Sequence, residues 1–399
     1  MPITSVRGGD GLHLAARDLS PPIGHWSHRN AEPCRLSHRL VRSALMLLLL
    51  AVAVVASCSD ALALEWGVGG PPQKRRDLEP IFQLMKARGL TQYRTGLNLT
   101  QDAEPVEAPM FRKTVALAKR YSITLHPLIN FPFRYGDRTD RGRYPKGDGE
   151  ALYRQGYDRT YAFVRQFSAD VLDWELENEI NLLALDSDGK KLFGRGMTAA
   201  DFEMPVMEDW AQVLHGASDA IDQINRETGS HLRKVLNTTS TMLGFLDFME
   251  SRGVKYDVIS YHYYEVAGQN PHRHWNGRNL PFDLFKKLAS YRRPVTFNEV
   301  NCGEIYKPAY GNQPGDALTE QCLRTLRDTF QYLKNQKDVE IESVMVYELF
   351  DEPQKKPPEN RFGLMYEIDR PKVALFLLSE FAGGRLSAEE LTELRTRGL

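Results

Sequence analysis

The chain has 399 residues, 42% hydrophobic and 26% charged, with a formal net charge of −1. That balance is ordinary for a soluble globular protein and excludes electrostatic attraction to nucleic acid or an anionic membrane as the organising property. Length alone admits two or three domains, or one large barrel.

The first 63 residues read as an N-terminal extension and signal peptide. Residues 1–34 are polar. Arg35, Arg39 and Arg42 then form a basic n-region, and Ala44 to Ala56 an apolar stretch of signal-peptide length, short for a membrane span. Two cleavage sites stand open. Ala61-Leu62-Ala63 suits an ordinary signal peptidase. Val55-Ala56-Ser57-Cys58 resembles a bacterial lipobox, which would leave Cys58 as a lipid-bearing N-terminus. A third reading is an uncleaved anchor. The tail before Arg35 is long for a signal peptide, which makes Val41 a candidate start. Export is expected, to the periplasm, as a membrane-anchored lipoprotein or as a secreted protein.

From Leu64 onward, short apolar runs alternate with amphipathic helical stretches. "LEWGVGG" precedes helical "RRDLEPIFQLMKARG", "TQYRTGLN" precedes "PMFRKTVALAKRY", and "ITLHPLIN" precedes "EALYRQGYDRTYAFVRQF". "VLDWELENEIN" leads to a long helical region at about 199–228, "RKVLNTTST" to "FLDFMESRG", and "YDVISYHYY" to "FDLFKKLASYRR". "PVTFNEVN" leads to "LTEQCLRTLRDTFQYLKN", and "IESVMVYELF" to a last helix from about Lys372. Eight strand–helix units in strict alternation predict an α/β protein with a single (β/α)8 TIM barrel over residues 64–399. Links from helix to strand are short and links from strand to helix long, so the long loops gather at the C-terminal ends of the strands, the face that holds the site in such barrels. One of them, "RYGDRTDRGRYPKGDGE" (134–150), reads as a solvated loop or as a lid whose basic residues suit acidic sugars.

Cys34 and Cys58 precede the mature body, which leaves Cys302 and Cys322. In an oxidising compartment they would close a short loop; otherwise they are two separate buried thiols. No cysteine–histidine spacing suggests zinc, and His272-x-His274, without a nearby carboxylate or cysteine set, reads as exposed loop.

The fourth strand carries Glu175, Glu177 and Glu179 at every second position, on one face by period-two alternation. If that face lines the barrel, Glu179 reaches the mouth and the other two lie deeper and need cationic or hydrogen-bonding partners. Glu299 ends the seventh strand at the parity of Val295 and Phe297 and reaches the same mouth. Two carboxylates so placed have the geometry of a retaining glycosidase, one protonating a leaving oxygen and one attacking the anomeric carbon. His262 and Tyr264 share a face near the end of strand six. Arg94 lies on strand two, where it either keeps Glu299 ionised or neutralises Glu175 or Glu177.

Asn178-Glu179 ending strand four, Glu299 ending strand seven and the His262-x-Tyr264 of strand six resemble the clan A glycoside hydrolases, families 39 and 5 above all, over about Leu64 to Gly384. The resemblance implies Glu179 as acid/base and Glu299 as nucleophile, Asn178 bonded to the sugar 2-hydroxyl, Arg94 and Tyr264 holding Glu299, and His262 lining the subsite of cleavage. It implies no metal and no organic cofactor. Ile180 stands where family 5 usually has proline, and the chain has no room for the β-sandwich domain of many family 39 enzymes. Related barrels place an aromatic ring under the sugar at the end of strand eight, for which Tyr347 and Phe350 are candidates. Trp66, Phe131, Phe133, Tyr135, Trp275, Tyr306 and Tyr310 are further candidates for the groove. The expectation is a monomeric exported glycosidase with a carbohydrate substrate and no nucleic-acid partner. The substrate is expected to be a poly- or oligosaccharide; some family 39-like exported enzymes act on the exopolysaccharide of their own producer, an analogy that would suit a lipid-anchored protein. The rival expectations are a non-catalytic carbohydrate-binding barrel and a transglycosylase that remodels chains.

Overall fold

The computed structural model describes residues 64–99, 104–132, 147–192, 195–265, 270–275, 281–302, 315–356 and 359–399. Eight strands form a closed barrel: β1 (Glu65–Gly69), β2 (Gln92–Asn98), β3 (Thr124–Asn130), β4 (Asp173–Leu176), β5 (Arg233–Thr239), β6 (Val258–Glu265), β7 (Val295–Cys302) and β8 (Ile341–Val346). Each pairs in parallel with its sequence neighbours, and β8 closes the ring against β1 through Trp66↔Val344 and Val68↔Val346. The helices are α1 (Leu78–Ala87), α2 (Glu104–Tyr121), α3 (Gly149–Val164), α4 (Pro205–Thr228), α5 (Gly244–Ser251), α6 (Leu284–Ala289), α7 (Gly315–Asn335) and α8 (Val373–Phe381), with α9 (Ala388–Thr396) appended. This is the (β/α)8 architecture that the alternation of apolar runs predicts.

Local chemistry sets the helix starts. Asp77, Asp148 and Asp283 each turn a side-chain oxygen onto a backbone N–H of the first helical turn, at Glu79, Ala151 and Lys286. The α3–α4 pair packs backbone to backbone because a glycine stands on each side. A Cβ on Gly156 would sit 1.9 Å from the Val213 carbonyl oxygen, and one on Gly216 2.0 Å from that of Tyr153. Among the described residues no helix is long and apolar enough to cross a membrane.

The apolar core lies between strands and helices, not inside the barrel. Phe297 on β7 meets Tyr261 and Tyr263 of β6 and Phe285 of α6, at ring-centroid distances of 5.5, 6.4 and 6.4 Å. Trp66 on β1 packs on Phe330 of α7 and Phe381 of α8. Trp66 is therefore a core residue and not part of a sugar groove, a correction that follows from its place on the outer face of β1.

Cys302, at the end of β7, is bonded to Cys322 of α7 across a separation of 20 residues. Of the two readings of this pair, the structure has the bonded one. Cys322→Ser is expected to lower stability by about 3 kcal/mol through the lost loop constraint, read as a fall in the denaturant midpoint of the protein under oxidising conditions.

Candidate active site

The barrel interior is filled by charged and polar side chains stacked along its axis. At the N-terminal ends of the strands, Arg233 donates to Asp173 (Nε–Oδ1 2.6 Å, Nη2–Oδ2 2.7 Å) and to Glu342 (Nη1–Oε1 2.6 Å). His126 meets Gln92 at 2.7 Å, and burial lowers its pKa.

Above this, Arg94 extends one guanidinium in three directions. Its Nε and Nη2 donate to Glu175 at 2.8 and 3.0 Å, Nη2 also donates to Asn178 Oδ1 at 2.7 Å, and Nη1 donates to Glu299 Oε2 at 3.0 Å. Glu175 further accepts Asn298 Nδ2 at 2.6 Å and Ser260 Oγ at 3.3 Å. Burial alone would raise the Glu175 pKa, but Arg94 and these donors hold it below the usual carboxylate value. Burial likewise pulls Arg94 down, and the surrounding Glu175, Glu299 and Glu179 charges lift it above its ordinary value.

At the mouth, Tyr264 donates its hydroxyl to Glu299 Oε1. His262 Nδ1 lies 2.9 Å from Glu179 Oε1 and 3.5 Å from Glu299 Oε2. One oxygen of Glu179, one of Glu299 and a His262 nitrogen all fall within 4.8 Å of one another. The Glu179 backbone N–H is fixed by Asn237 Oδ1 at 2.8 Å, and Asn237 leans on Ser260 at 3.3 Å. The expected site residues Glu179, Glu299, Asn178, Arg94, His262 and Tyr264 therefore converge at one end of the barrel.

Two steps of the sequence argument are corrected by the backbone. β4 ends at Leu176, and Glu177 and Glu179 adopt left-handed φ values of 64° and 49°. Period-two alternation stops there. Glu175 lines the barrel and Glu179 the mouth, while Glu177 turns to accept the Phe131 and Asn178 backbone N–H groups at 2.5 and 3.2 Å. The second concerns Glu299. Phe297 faces the helices, so Glu299 is not inward by its parity. A register shift brings it in: β6 Ser260 pairs with Thr296 and His262 with Glu299, which puts an extra β7 residue between the two. Asn298 and Glu299 thus both turn towards the axis.

A cavity of about 470 Å³ opens over these groups. Glu179, Glu299, Asn178, Tyr264 and Tyr347 line it, with Glu348, Glu352 and Lys355 forming one wall. Tyr347, joined to Glu348 by a cis peptide bond, is the strand-eight aromatic in the cavity. Phe350, the other candidate, is buried under the Arg76 guanidinium at 4.1 Å. Phe131 is buried as well. Trp275 lies on a two-residue strand (His274–Trp275), and its side chain is outside the described residues, as are Phe133, Tyr135, Tyr306, Tyr310, Cys58 and most of the 134–150 loop. His274 is buried beside Tyr261 at 3.2 Å, not on an exposed loop, while His272 pairs with Asp283 at 3.0 Å.

Sequence reasoning missed Glu348 and Lys355 as site residues. Lys355 contacts the Tyr347 hydroxyl, lies 3.2 Å from Glu348 Oε1 and 2.5 Å from Glu352 Oε2, and sits 4.6 Å from the Tyr347 ring centroid. Burial pushes the Glu348 carboxyl up to about 8, helped by Glu352 and Glu299 and opposed by Lys355. Only the position of Glu348 directly after Tyr347 could have signalled it. Glu179, His262 and Glu299 are also spaced to ligate a cation, but Arg94 and Tyr264 already occupy the Glu299 oxygens, and an incoming metal would face the guanidinium at close range.

No protein-family model matches the sequence, and no curated protein sequence does. Solved structures match the fold. A family 39 glycoside hydrolase from Bacteroides cellulosilyticus superposes with a TM-score of 0.57 at 17% identity, over 81% of this chain and 64% of that one, just under two thirds of its length. A family 1 β-glucosidase from Thermotoga maritima gives 0.54 at 11%, over 81% and 98% of the two chains, and a β-glucosidase from Exiguobacterium marinum 0.51 at 12%, over 76% and 86%. The protein thus resembles the clan A glycoside hydrolases in fold.

Two measurements check this electrostatic picture. Arg94→Met should cost about 3–5 kcal/mol in chemical denaturation, since it leaves Glu175 buried without its cation. Glu348 keeps its proton to about pH 8 in the fold but releases it near 4.5 when unfolded, so its contribution is present at low pH and is lost as pH rises through that window. The Tm of Glu348→Gln relative to wild type should therefore be higher at pH 9 than at pH 5.

Proposed function

We propose that the protein is an exported retaining O-glycoside hydrolase acting on a poly- or oligosaccharide. One observation carries the reading: carboxylates from the ends of β4 and β7 come within 4.8 Å, in a cavity open to solvent. Retaining enzymes hold their two carboxyl groups about 5–5.5 Å apart, and inverting enzymes about 6.5–9.5 Å, to leave room for water. The partners divide the two roles. Glu299 receives Arg94 and Tyr264, donors that fix and stabilise an anion. Glu179 has an imidazole, His262, against its carboxylate and lies more open to the cavity than Glu299.

Glu299 attacks the anomeric carbon as the glycosidic C–O bond breaks, and Glu179 gives its proton to the departing oxygen. Glu179 then takes a proton from water, which attacks the same carbon and releases Glu299. In this reading Asn178, held by Arg94, bonds the 2-hydroxyl of the sugar, as in the clan A enzymes it resembles, and Tyr347 offers a ring beneath it. The names of the structural neighbours, a family 39 glycoside hydrolase and β-glucosidases, support the reaction class. Export, lipid attachment at Cys58, a monomeric state and an exopolysaccharide substrate belong to the same proposal and rest on the sequence.

Glu179→Gln is expected to lower kcat by about 10²–10⁴-fold and Glu299→Gln by at least as much, with unchanged circular dichroism. Proton NMR of the first-formed product should show the anomeric configuration of the substrate. Inverted product, or wild-type turnover in either variant, overturns the assignment.

A further inference from the structure

We propose that Asn237, near the end of β5, is a positioning residue for Glu179: its side-chain oxygen holds the Glu179 backbone in the left-handed turn that presents the acid/base carboxyl to the cavity. The inference rests on the glycosidase reading and adds to it a residue buried behind the cavity lining.

β4 leaves the sheet early. Its last pair with β5 is Leu176↔Leu236, whereas β5 runs on to Thr239 alongside β6. The chain then passes through left-handed φ values at Glu177 and Glu179. That conformation is unfavourable for a residue with a Cβ and persists only where its surroundings fix it. Asn237 is the first β5 residue beyond the last pair, and its side chain takes the place of the ladder: Oδ1 accepts the Glu179 N–H at 2.8 Å. On the other side of the residue, the Glu179 carbonyl accepts the Leu182 N–H at 3.1 Å, which opens the short helical turn Ile180–Leu183. Glu179 is thus gripped at both of its peptide groups, and together these bonds set the direction in which its side chain leaves the backbone.

Asn237 is itself fixed. Its Nδ2 donates to Ser260 Oγ at 3.3 Å, which decides the end of the amide that faces Glu179. Ser260 donates in turn to Asn298 and Glu175, and Asn298 Nδ2 donates to Glu175 at 2.6 Å. Asn298 directly precedes Glu299 on β7. A line of hydrogen bonds therefore runs from the backbone of one carboxylate residue, through Asn237 and Ser260, to the strand that bears the other. The buried Glu175–Arg94 pair anchors its middle. Asparagine suits the position because one planar group supplies both the acceptor and the donor; aspartate keeps only the acceptor, and leucine has neither. Glu299 has its own donors in Arg94 and Tyr264, so loss of the Asn237 bond falls first on the acid/base. A misplaced acid slows departure of a leaving group that needs a proton far more than departure of one that leaves as an anion.

A panel of 4-nitrophenyl glycosides of neutral and acidic mono- and disaccharides, in both anomeric configurations, first identifies a sugar that the wild type turns over. On that sugar kcat/KM is measured with a 2,4-dinitrophenyl leaving group, which departs unprotonated, and with a 4-methylphenyl group, which requires the acid. In Asn237→Ala and in Asn237→Leu, which fills the same space, the ratio of the two values should widen at least about tenfold over wild type. In Asn237→Asp, which keeps the acceptor, the ratio should stay within about threefold of wild type. Should the alanine variant fail to fold, the leucine and aspartate variants decide. An unchanged ratio, a loss that falls equally on both leaving groups, or an aspartate variant as impaired as the leucine one overturns the inference and leaves the glycosidase reading standing. Loss of the native circular dichroism in all three variants does the same, since it makes Asn237 a folding residue. If the wild type turns over no glycoside of the panel, and 2,4-dinitrophenyl 2-deoxy-2-fluoro glycosides of the same sugars leave Glu299 unlabelled, the glycosidase reading fails and this inference falls with it.

Discussion

The site is organised around a single buried guanidinium. Arg94 binds one carboxylate deep in the barrel and one at its mouth, and it orients an amide between them. Only arginine has the planar fork for this; a lysine would be a point charge with no way to fix three acceptors at once. The division of charge matters as much as the geometry. Glu175 takes the bidentate side and balances most of the cation, while Glu299 receives one N–H. Glu299 is therefore oriented by a single guanidinium N–H, and most of the cation is left to Glu175.

That arrangement displaces the apolar core. Small barrels are usually filled by branched aliphatic side chains. Here the axis carries Arg233 with Asp173 and Glu342, then Arg94 with Glu175, then the mouth carboxylates. Buried ion pairs add little to stability against apolar packing of equal volume, yet breaking one is costly. Folding is driven instead by the layer between strands and helices, where Trp66, Phe297 and their aromatic neighbours lie. The two layers have separate duties, and the polar stack gives rigidity and register to the site above it.

The sequence made the barrel legible because apolar runs of strand length alternate with helical periodicity eight times, and loop lengths betray which end is open. It also made Glu179, Glu299, Arg94, His262 and Tyr264 legible, since each sits at or near a strand end. Parity was the unreliable step. It placed Glu177 beside its neighbours, where a left-handed turn redirects it, and it gave the right answer for Glu299 on wrong grounds, since a register shift and not alternation turns that side chain inward. Backbone irregularities of this kind depend on how adjacent strands close into a ring, and one strand's sequence does not contain that information. Lys355 was illegible for a related reason. It lies in a loop with no periodicity, and its importance comes from the chain folding back onto Tyr347 and Glu348.

The end of β7 joins these separate parts. Glu299 is followed two residues later by Asn301, whose amide nitrogen donates to the Tyr347 and Phe362 carbonyl oxygens. Asn301 Oδ1 accepts the Cys302 N–H at 2.6 Å, and Cys302 is tied to α7 by its disulfide. Four consecutive residues thus set the Glu299 carboxylate, anchor the wall that bears Tyr347 and Glu348, and fasten the strand to the outer helices. A displacement of this strand end cannot move Glu299 without also moving the wall that carries Tyr347 and Glu348. The distance between Glu299 and the wall of Tyr347 and Glu348 is therefore a property of one short segment, and the two sides of the cavity are held in register by the same backbone.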